Sequence, residues 1–358
     1  SSDPDEMLGL IFSESLGLDF FLWKNADFPD FLFERFNQSD NKKFIDAFLK
    51  YALLLQNAHK ILSESRRFDF IDRLLSLDKK YPQSDISRNA TQLFDFVTHF
   101  KANSDEGENR NGWWEKNKRT FDYVKTAANA LPLSSTPVLE KHFAIIQLRN
   151  IIYEQKPSER DSSANAPIYD AFIKTFSNTE EDLDIRQLCF LRYANGVFNR
   201  EKNQSDPKNI ALIDKLLSED KMLGFVLLYT DIKNDTIRNK ATEVLNNPAE
   251  SSYNRAAAIY ALQQISKDKK KLAEIALTLL ENEIKKAPET ATLNKDTIGH
   301  TISQLICSLV TLTNAKETHF DLLNIDISYW RKAVSEMPDD PPETKLNLTR
   351  DRSRPNLP

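Results

Sequence analysis

The spacing of apolar residues follows a helical period along almost the whole chain. Apolar side chains recur every three or four residues, which is the period of an amphipathic α-helix. No stretch of strand length alternates between apolar and polar residues. The pattern therefore predicts an all-α protein. One face of residues 40–63 shows the period with Phe44, Phe48, Tyr51, Leu55, Ala58 and Leu62.

Breaks in this pattern are short, and they are built from Asn, Asp, Ser and Pro. Connections of this kind are typical of stacked antiparallel helices. We therefore predict stacked antiparallel helices, arranged either as an irregular α-solenoid or as two packed helical domains. In the later part of the chain the predicted helices are 167–177, 180–201, 207–218, 221–231, 235–246, 250–266, 269–286, 295–314 and 319–336.

One wholly polar stretch, residues 103–112, interrupts the helical pattern more clearly than any other. Polar stretches with glycine between periodic segments are typical of loops. We predict that this loop separates an N-terminal helical region, 1–102, from a repeat-like helical region, 113–337. After Pro338 the helical period is lost, so residues 338–358 are expected to form an extended tail.

Glycine is rare, since the chain has 7 in 358 residues, about 2%, against roughly 7% in average proteins. Tight turns, phosphate-binding loops and close backbone approaches usually need glycine. Its scarcity argues against a dinucleotide-binding fold, a P-loop enzyme, a β-sandwich and a collagen-like chain. Gly196 and Gly224 fall inside helical patterns, so we expect a close helix approach or a local break at each.

The net charge of −5 arises from the first fifty residues, which hold ten acids and five bases. The rest of the chain is balanced, so no global field favours nucleic acid, and we expect none as a partner. No apolar run approaches the roughly 20 residues that a membrane span needs. We expect a soluble protein and favour the cytoplasm. Because the chain starts with Ser1 instead of Met, a secreted or periplasmic form stays open as the alternative.

Residues with catalytic or metal-binding chemistry form no recognisable motif. None of the five histidines lies at metal-ligand spacing from another His or Cys, and Gly-x-Ser-x-Gly and Gly-x-Gly-x-x-Gly are absent. We therefore predict no catalytic residue, no cofactor and no metal site. Cys189 and Cys307 are expected to be buried reduced thiols, with one long-range disulfide as the alternative. Glu180 and Glu181 are expected at a helix start, where carboxylates interact favourably with the helix dipole.

Two adjacent tryptophans, Trp113 and Trp114, are candidate partner-binding residues. They follow the polar stretch, and the apolar stripe predicts that a helix continues through residues 114–131. Neighbours on a helix point about 100° apart, so one of the two rings is expected to point away from the core. A partly exposed Trp is a common anchor for a protein partner. In the alternative, both rings pack beneath the loop.

The N-terminal region is a second candidate for partner binding, because aromatic residues are concentrated in it. Nine of the 22 phenylalanines lie in the first fifty residues. They are too densely placed for one helical stripe, so the segment is either a buried capping bundle or an apolar surface for a partner. The candidate partner-binding residues here are Trp23, Phe28 and Phe31.

A run of lysines, Lys269, Lys270 and Lys271, is the third candidate. Together with Lys267 it forms the strongest basic cluster of the chain, and it falls at a predicted turn between two helices. One interpretation is a solvated turn. The other is a contact for a phosphate or for an acidic partner. Aromatic residues that would stack on single-stranded nucleic acid are not interleaved with these lysines.

The stretch 250–281 resembles a HEAT repeat. Its first half contains Arg255 followed by the small residues Ala256, Ala257 and Ala258, similar to the second helix of that repeat. Weaker versions occur around Arg238 and Arg186, so the resemblance covers about residues 184–281. Membership of this class implies stacked helix pairs that present an extended surface to protein partners.

From these features we expect a non-enzymatic helical scaffold or adaptor that binds a protein partner through an extended surface. One alternative is a helical-fold enzyme whose site is assembled from residues scattered along the sequence. Another is a secreted or periplasmic bacterial factor that acts on a host or envelope partner. The sequence predicts no oligomeric state.

Overall fold

The part of the chain that the structure describes is helical and contains no strand. The structure is a computed structural model, and its described residues hold sixteen α-helices. The all-α fold class predicted from the apolar period is therefore confirmed. No helix among these residues is long and apolar enough to cross a membrane. The described ranges are 28–54, 64–100, 109–155, 163–198, 206–230, 235–263, 265–286, 297–315 and 325–340.

Contacts divide the chain into two units, of which the first ends at Tyr193. Within the described part of this unit, most helices pack on those next to them or next but one in sequence. The stacking of consecutive helices buries one apolar face after another. The helices are α1 (Phe28–Gln38), α2 (Lys42–Leu54), α3 (Glu64–Lys80), α4 (Asp85–Thr98), α5 (Arg110–Asn117), α6 (Tyr123–Ala130), α7 (Val138–Glu154), α8 (Ala166–Phe176) and α9 (Leu183–Tyr193).

The second unit begins at Ala194, and its described helices pack in the same sequential way. Helix α13 is the most connected of them, since it packs on α11, α12, α14 and α15. The unit opens with a π-helical turn, Ala194–Phe198. Its α-helices are α10 (Pro207–Leu217), α11 (Asp220–Tyr229), α12 (Asp235–Asn246), α13 (Ser252–Leu262), α14 (Lys269–Lys286), α15 (Thr297–Thr313) and α16 (Ile327–Ser335).

Small side chains allow helix α13 to pack on four neighbours. Ala256, Ala257 and Ala258 are fully buried, so three consecutive residues face protein on different sides of the helix. Short side chains let neighbouring helix backbones approach closely. These are the residues on which the resemblance to a HEAT repeat depends. Small residues serve the same purpose in many all-α folds, so a HEAT-like repeat stays a prediction.

Gly224 marks the close helix approach that its position inside a helical pattern predicts. A Cβ atom added there would lie 2.5 Å from Asn254 Oδ1 and 2.6 Å from Tyr253 Cε1, both on helix α13. Real Cβ atoms do not approach other atoms so closely, so α11 and α13 are in close contact here, and a larger residue would displace the side chains of Tyr253 and Asn254. Gly196, the other glycine of this kind, lies in the π-helical turn, which is a local break in helical geometry.

Substituting Gly224 with alanine is expected to destabilise the second unit by about 1–3 kcal/mol, because the new methyl group overlaps α13. Helix propensity alone predicts a gain of about 1 kcal/mol, so the sign of the change distinguishes the two effects. Gly112→Ala is the matched control, since its Cβ would meet Asn109 Oδ1 at an ordinary 3.5 Å. Urea unfolding measures both. A stabilising Gly224→Ala would contradict the close approach.

The region after the polar stretch differs from its sequence-based prediction in two ways. Residues 110–112 belong to helix α5 and not to the loop, because the side chain of Asn109 accepts a hydrogen bond from Gly112 N at 2.8 Å and so caps the helix. The stripe predicted as one helix over 114–131 is divided into α5 and α6. A new helix starts there because Asp122 Oδ1 accepts from Lys125 N at 3.0 Å.

The predicted boundary at 103–112 falls inside the first unit, whereas the division between units lies at Tyr193 and Ala194. Helix α4 precedes this stretch, and it packs on α6 and α7, which follow it. Segments on both sides of the stretch therefore share one core. Residues 101–108 themselves lie outside the described residues.

Candidate partner-binding surfaces

The N-terminal aromatic candidates fall mostly outside the described residues. Trp23 precedes the first residue that the structure describes, and the structure does not describe the side chains of Phe28 and Phe31. Two other phenylalanines of this region are core residues. Phe33 and Phe36 are buried, and the ring of Phe36 stacks on Phe48 with centroids 4.2 Å apart. A partner-binding role for Trp23, Phe28 and Phe31 stays a prediction.

Trp114 is a core residue, which corrects its assignment as a partner-binding candidate. Its side chain is fully buried, and its ring centroid lies 5.4 Å from that of Phe121 and 5.7 Å from that of Phe68. The indole Nε1 donates a hydrogen bond to Asp72 Oδ1 at 2.6 Å. A fully buried ring offers no surface to a partner, and its one polar group is satisfied within the unit.

Trp113 is half-buried and packs on the same group of aromatic rings. It makes edge contacts with Phe94 and Phe100, with centroids 6.2 and 5.7 Å apart. The helix that carries it is held on α4 by Arg110, which forms two hydrogen bonds of 2.7 Å to the carboxylate of Asp95. Part of the Trp113 ring therefore stays at the surface on a rigid base, and this residue remains a partner-binding candidate.

The lysine run contacts an acidic segment of the same chain. Lys270 Nζ donates to Asp339 Oδ1 at 2.6 Å. The backbone N–H groups of Lys270 and Lys271 donate to the two carboxylate oxygens of Asp340, each at 2.8 Å. Lys269 is exposed. The acidic residues of this contact belong to the same chain, in the stretch that follows Pro338, so a contact of the lysine run with a phosphate or an acidic partner stays a prediction.

This contact stabilises the beginning of helix α14. The first N–H groups of a helix have no partner within the helix, and the Asp340 carboxylate satisfies two of them. Negative charge at this end also interacts favourably with the helix dipole. The hydrogen bond from Lys270 lowers the pKa of Asp339 below its usual value, so this carboxylate is charged at neutral pH. Residues 338–340 lack regular structure, as predicted for the tail, and 341–358 lie outside the described residues.

An exposed apolar surface lies where α6 connects to α7. Leu133, Val138 and Leu139 are 51%, 47% and 56% exposed, more than any other large apolar side chain of the described residues. We call these three side chains the apolar loop patch. Nothing in the sequence distinguishes them, because three apolar residues near a proline-containing turn look like any short break between helices.

The backbone beneath the apolar loop patch is well ordered by hydrogen bonds. Thr136 is buried, and its hydroxyl donates to the carbonyl of Ala130 at 2.7 Å. Its N–H donates to the carbonyl of Leu133 at 3.1 Å and closes a turn. Pro137 then occupies the N-cap position immediately before helix α7, and its ring fixes its φ angle. The turn therefore presents its apolar side chains in a defined geometry.

Two buried side-chain contacts, one of them an ion pair, fix the first turn of α7 to other elements of the unit. Glu140 Oε1 lies 2.5 Å from Nδ1 of His99, which follows helix α4. Lys141 Nζ donates to Glu181 Oε2, which precedes helix α9. All four side chains are at least 93% buried. The start of α7 is thus attached to two different parts of the unit through polar side chains that are removed from water.

Glu181 lies before the start of helix α9, and not in its first turn as predicted. Helix α9 begins two residues later, and the cap is Asp182, whose Oδ1 accepts from the N–H groups of Asp184 and Ile185 at 3.0 and 3.3 Å. No local pattern indicates the true role of Glu181, because its partner Lys141 lies 40 residues earlier in the chain.

Neither cysteine has the environment of a nucleophile. Both are free thiols, with Cys189 buried and Cys307 half-buried, so the disulfide alternative is not what the structure shows. Burial raises the pKa of Cys189 well above its usual value, and the nearby Glu181 carboxylate raises it further. Burial also raises the pKa of Cys307. Protonated thiols are poor nucleophiles and poor metal ligands.

The histidines do not form a metal site in the described part of the chain. No group of three or more His, Cys, Asp or Glu side chains is arranged there to hold a metal ion. His99 is engaged with Glu140. His59 and His319 lie outside the described residues, and the side chain of His300 does too.

Comparisons with known proteins add no constraint to these surfaces. The candidate surfaces therefore rest on the geometry of the described residues, namely the apolar loop patch, the half-buried Trp113 and the lysine run with its acidic contact. No protein-family model matches this chain, and no curated protein sequence matches it.

Proposed function

We propose that this chain is a non-enzymatic helical scaffold or adaptor that binds a protein partner through the apolar loop patch. The observation that carries the proposal is the exposure of Leu133 in the connection before α7 and of Val138 and Leu139 in the first turn of α7. Each Å² of apolar surface that is removed from water contributes about 25 cal/mol of favourable free energy. Three large aliphatic side chains within seven residues are exposed and therefore available to contribute to association.

The geometry of the turn also favours binding. Ordering a flexible loop on association costs free energy, and a segment that is already ordered avoids most of that cost. The buried Thr136 and the buried ion pair of Lys141 hold the patch before any partner arrives. The fully buried centre of a protein–protein interface is more apolar than its rim, so exposed aliphatic side chains fit this position.

Leu139→Glu is expected to abolish capture of the partner, because a carboxylate in the interface would lose its hydration. The measurement is quantitative mass spectrometry of proteins cross-linked to the full chain in cells. Tyr153→Glu is the matched control, since it places the same charge on a partly exposed residue at the other end of α7. Proteins captured by the wild type and by Tyr153→Glu should be missing with Leu139→Glu.

Both variants are expected to keep the unfolding midpoint of the wild type, since Leu139 contributes little to the core. Two results would contradict the proposal. One is a set of captured proteins that Leu139→Glu leaves unchanged. The other is an equal loss with Tyr153→Glu, which would show a general effect of charge and not a role for the apolar loop patch.

A further inference from the structure

A cleft of about 920 Å³ opens in the second unit beside the start of helix α14. Its walls come from the turn before α14, from the end of α15 and from α16 with the segment that follows it. Lys267 and Lys269 line one wall, and Lys332 with Tyr329 lines the other. We call this the lysine cleft. Its basic residues come from two elements that are about 60 residues apart in the sequence.

Two acidic residues of the chain itself, Asp339 and Asp340, lie at this cleft. Both are part of its lining, and their carboxylates bind Lys270 and the two backbone N–H groups described above. Two neighbouring carboxylates on a segment without regular secondary structure are therefore held by an ammonium group and by oriented N–H donors. These are the interactions by which proteins recognise acidic peptides.

Positive charge remains in the lysine cleft after this contact is made. Lys267 and Lys269 are exposed, and neither side chain forms a hydrogen bond or an ion pair with any described residue. The ammonium group of Lys332 lies 3.8 Å from Glu336 Oε1, at the limit for an ion pair, and both side chains are largely exposed. The cleft thus combines two bound carboxylates with two exposed lysines, Lys267 and Lys269, that pair with no described residue.

We propose that the lysine cleft binds an acidic segment of a partner protein next to Asp339 and Asp340, and that Asp339 competes with this segment for Lys270. The ammonium groups of Lys267 and Lys269 pair with the incoming carboxylates. Leu312, Met337 and Pro338 add apolar surface to the cleft, so the segment that fits carries apolar residues between its acids. This site is independent of the apolar loop patch, which belongs to the first unit.

A protein segment is favoured over nucleic acid by the chemistry of the cleft. The ligand already present is a pair of carboxylates and not a phosphate analogue. Proteins that bind single strands use several aromatic side chains on which successive bases stack. Tyr329 is the one aromatic residue of the lining. The basic groups are lysines, which lack the planar fork that reads base edges.

Fluorescence anisotropy of a labelled twelve-residue peptide with alternating Asp and Leu tests the proposal on the full chain. We expect saturable binding that weakens as salt increases, since exposed charges are screened. The double variant Lys267→Ala, Lys269→Ala is expected to weaken binding at least tenfold. The matched control is Lys221→Ala with Lys285→Ala, which removes the same charge from exposed positions of the same unit. It should leave the affinity unchanged.

Asp339→Asn tests the competition separately. The Asp339 side chain is 92% exposed and Asp340 stays in place, so the variant keeps the cap of helix α14. We expect it to raise peptide affinity about threefold or more because Lys270 is released. Three results would each overturn the proposal. One is equal affinity of the wild type and the Lys267/Lys269 variant for the peptide, and another is equal affinity of the wild type for an Asn-Leu peptide. The third is tighter binding of single-stranded RNA of the same charge. Unchanged affinity in Asp339→Asn would overturn the competition.

Discussion

Lys141→Ala is expected to lower the free energy of unfolding of the first unit by about 3–5 kcal/mol. The ammonium group of Lys141 is paired with Glu181, and the two side chains are 2% and 7% exposed. Removing the lysine leaves a carboxylate in a place from which water is excluded. The cost of that unpaired charge exceeds the attraction that is lost, because the charge cannot be hydrated without opening the structure. Urea unfolding at pH 7, followed by circular dichroism, measures the change.

The surface pair Lys118 and Glu115 provides the control. Its atoms are 2.8 Å apart, but both side chains are substantially exposed. Lys118→Ala should therefore change the stability by less than about 1 kcal/mol. The double variant Lys141→Met, Glu181→Leu should recover most of the stability lost in Lys141→Ala, since no charge is then buried. Equal effects of Lys141→Ala and Lys118→Ala would show that the buried pair is hydrated and contributes little.

Trp114→Ala is expected to destabilise the first unit by about 3–5 kcal/mol, because it removes a fully buried ring from the aromatic group around α5. Trp114→Phe should cost less, about 1–2 kcal/mol, since a ring still fills most of the space. The hydrogen bond to Asp72 is lost in both variants. Asp72 is exposed, so water replaces the indole N–H at little cost.

Substitution of the adjacent Trp113 separates the effect of burial on stability from the effect of removing a tryptophan. Trp113 is half-buried, so Trp113→Ala should cost roughly half as much as Trp114→Ala, about 2 kcal/mol. Thermal unfolding of the three variants, compared with the wild type, gives the order Trp114→Ala, Trp113→Ala, Trp114→Phe from the largest loss to the smallest. Equal losses at Trp113 and Trp114 would mean that the two rings are buried to the same extent in solution.

The positions of most helices in the second unit follow from the sequence. The helices predicted over 235–246 and 269–286 have those bounds in the structure, and the one predicted over 207–218 ends one residue earlier. Their signals are local. At the start of α10, Asp206 Oδ1 accepts from Lys208 N at 2.9 Å, and Pro207 occupies the first helical position. A cap and an apolar period act within a few residues, so one sequence contains the information.

The charged contacts could not be predicted in this way. Glu181 has its partner 40 residues away, and Lys270 binds Asp339 69 residues away. Nothing in the neighbourhood of either acid distinguishes it from the many acids that remain exposed. Ion pairing depends on where separate helices meet, and the free energy that brings them together comes from the burial of apolar faces along the whole unit.

The sequence by itself determined the all-α class and the bounds of many helices, because these depend on backbone hydrogen bonds, caps and the apolar period within a few residues. It marked Gly224 as a close approach or a local break, and the tertiary structure decided between the two by placing α13 against it. Tertiary structure alone decided that Trp114 is buried while Trp113 stays partly exposed, that Lys141 and Glu181 pair away from water, and that apolar side chains gather at the start of α7. It also decided that Asp339 and Asp340 contact the lysine run. Burial and pairing are properties of residues that are distant in the chain, so only the packed helices determine them.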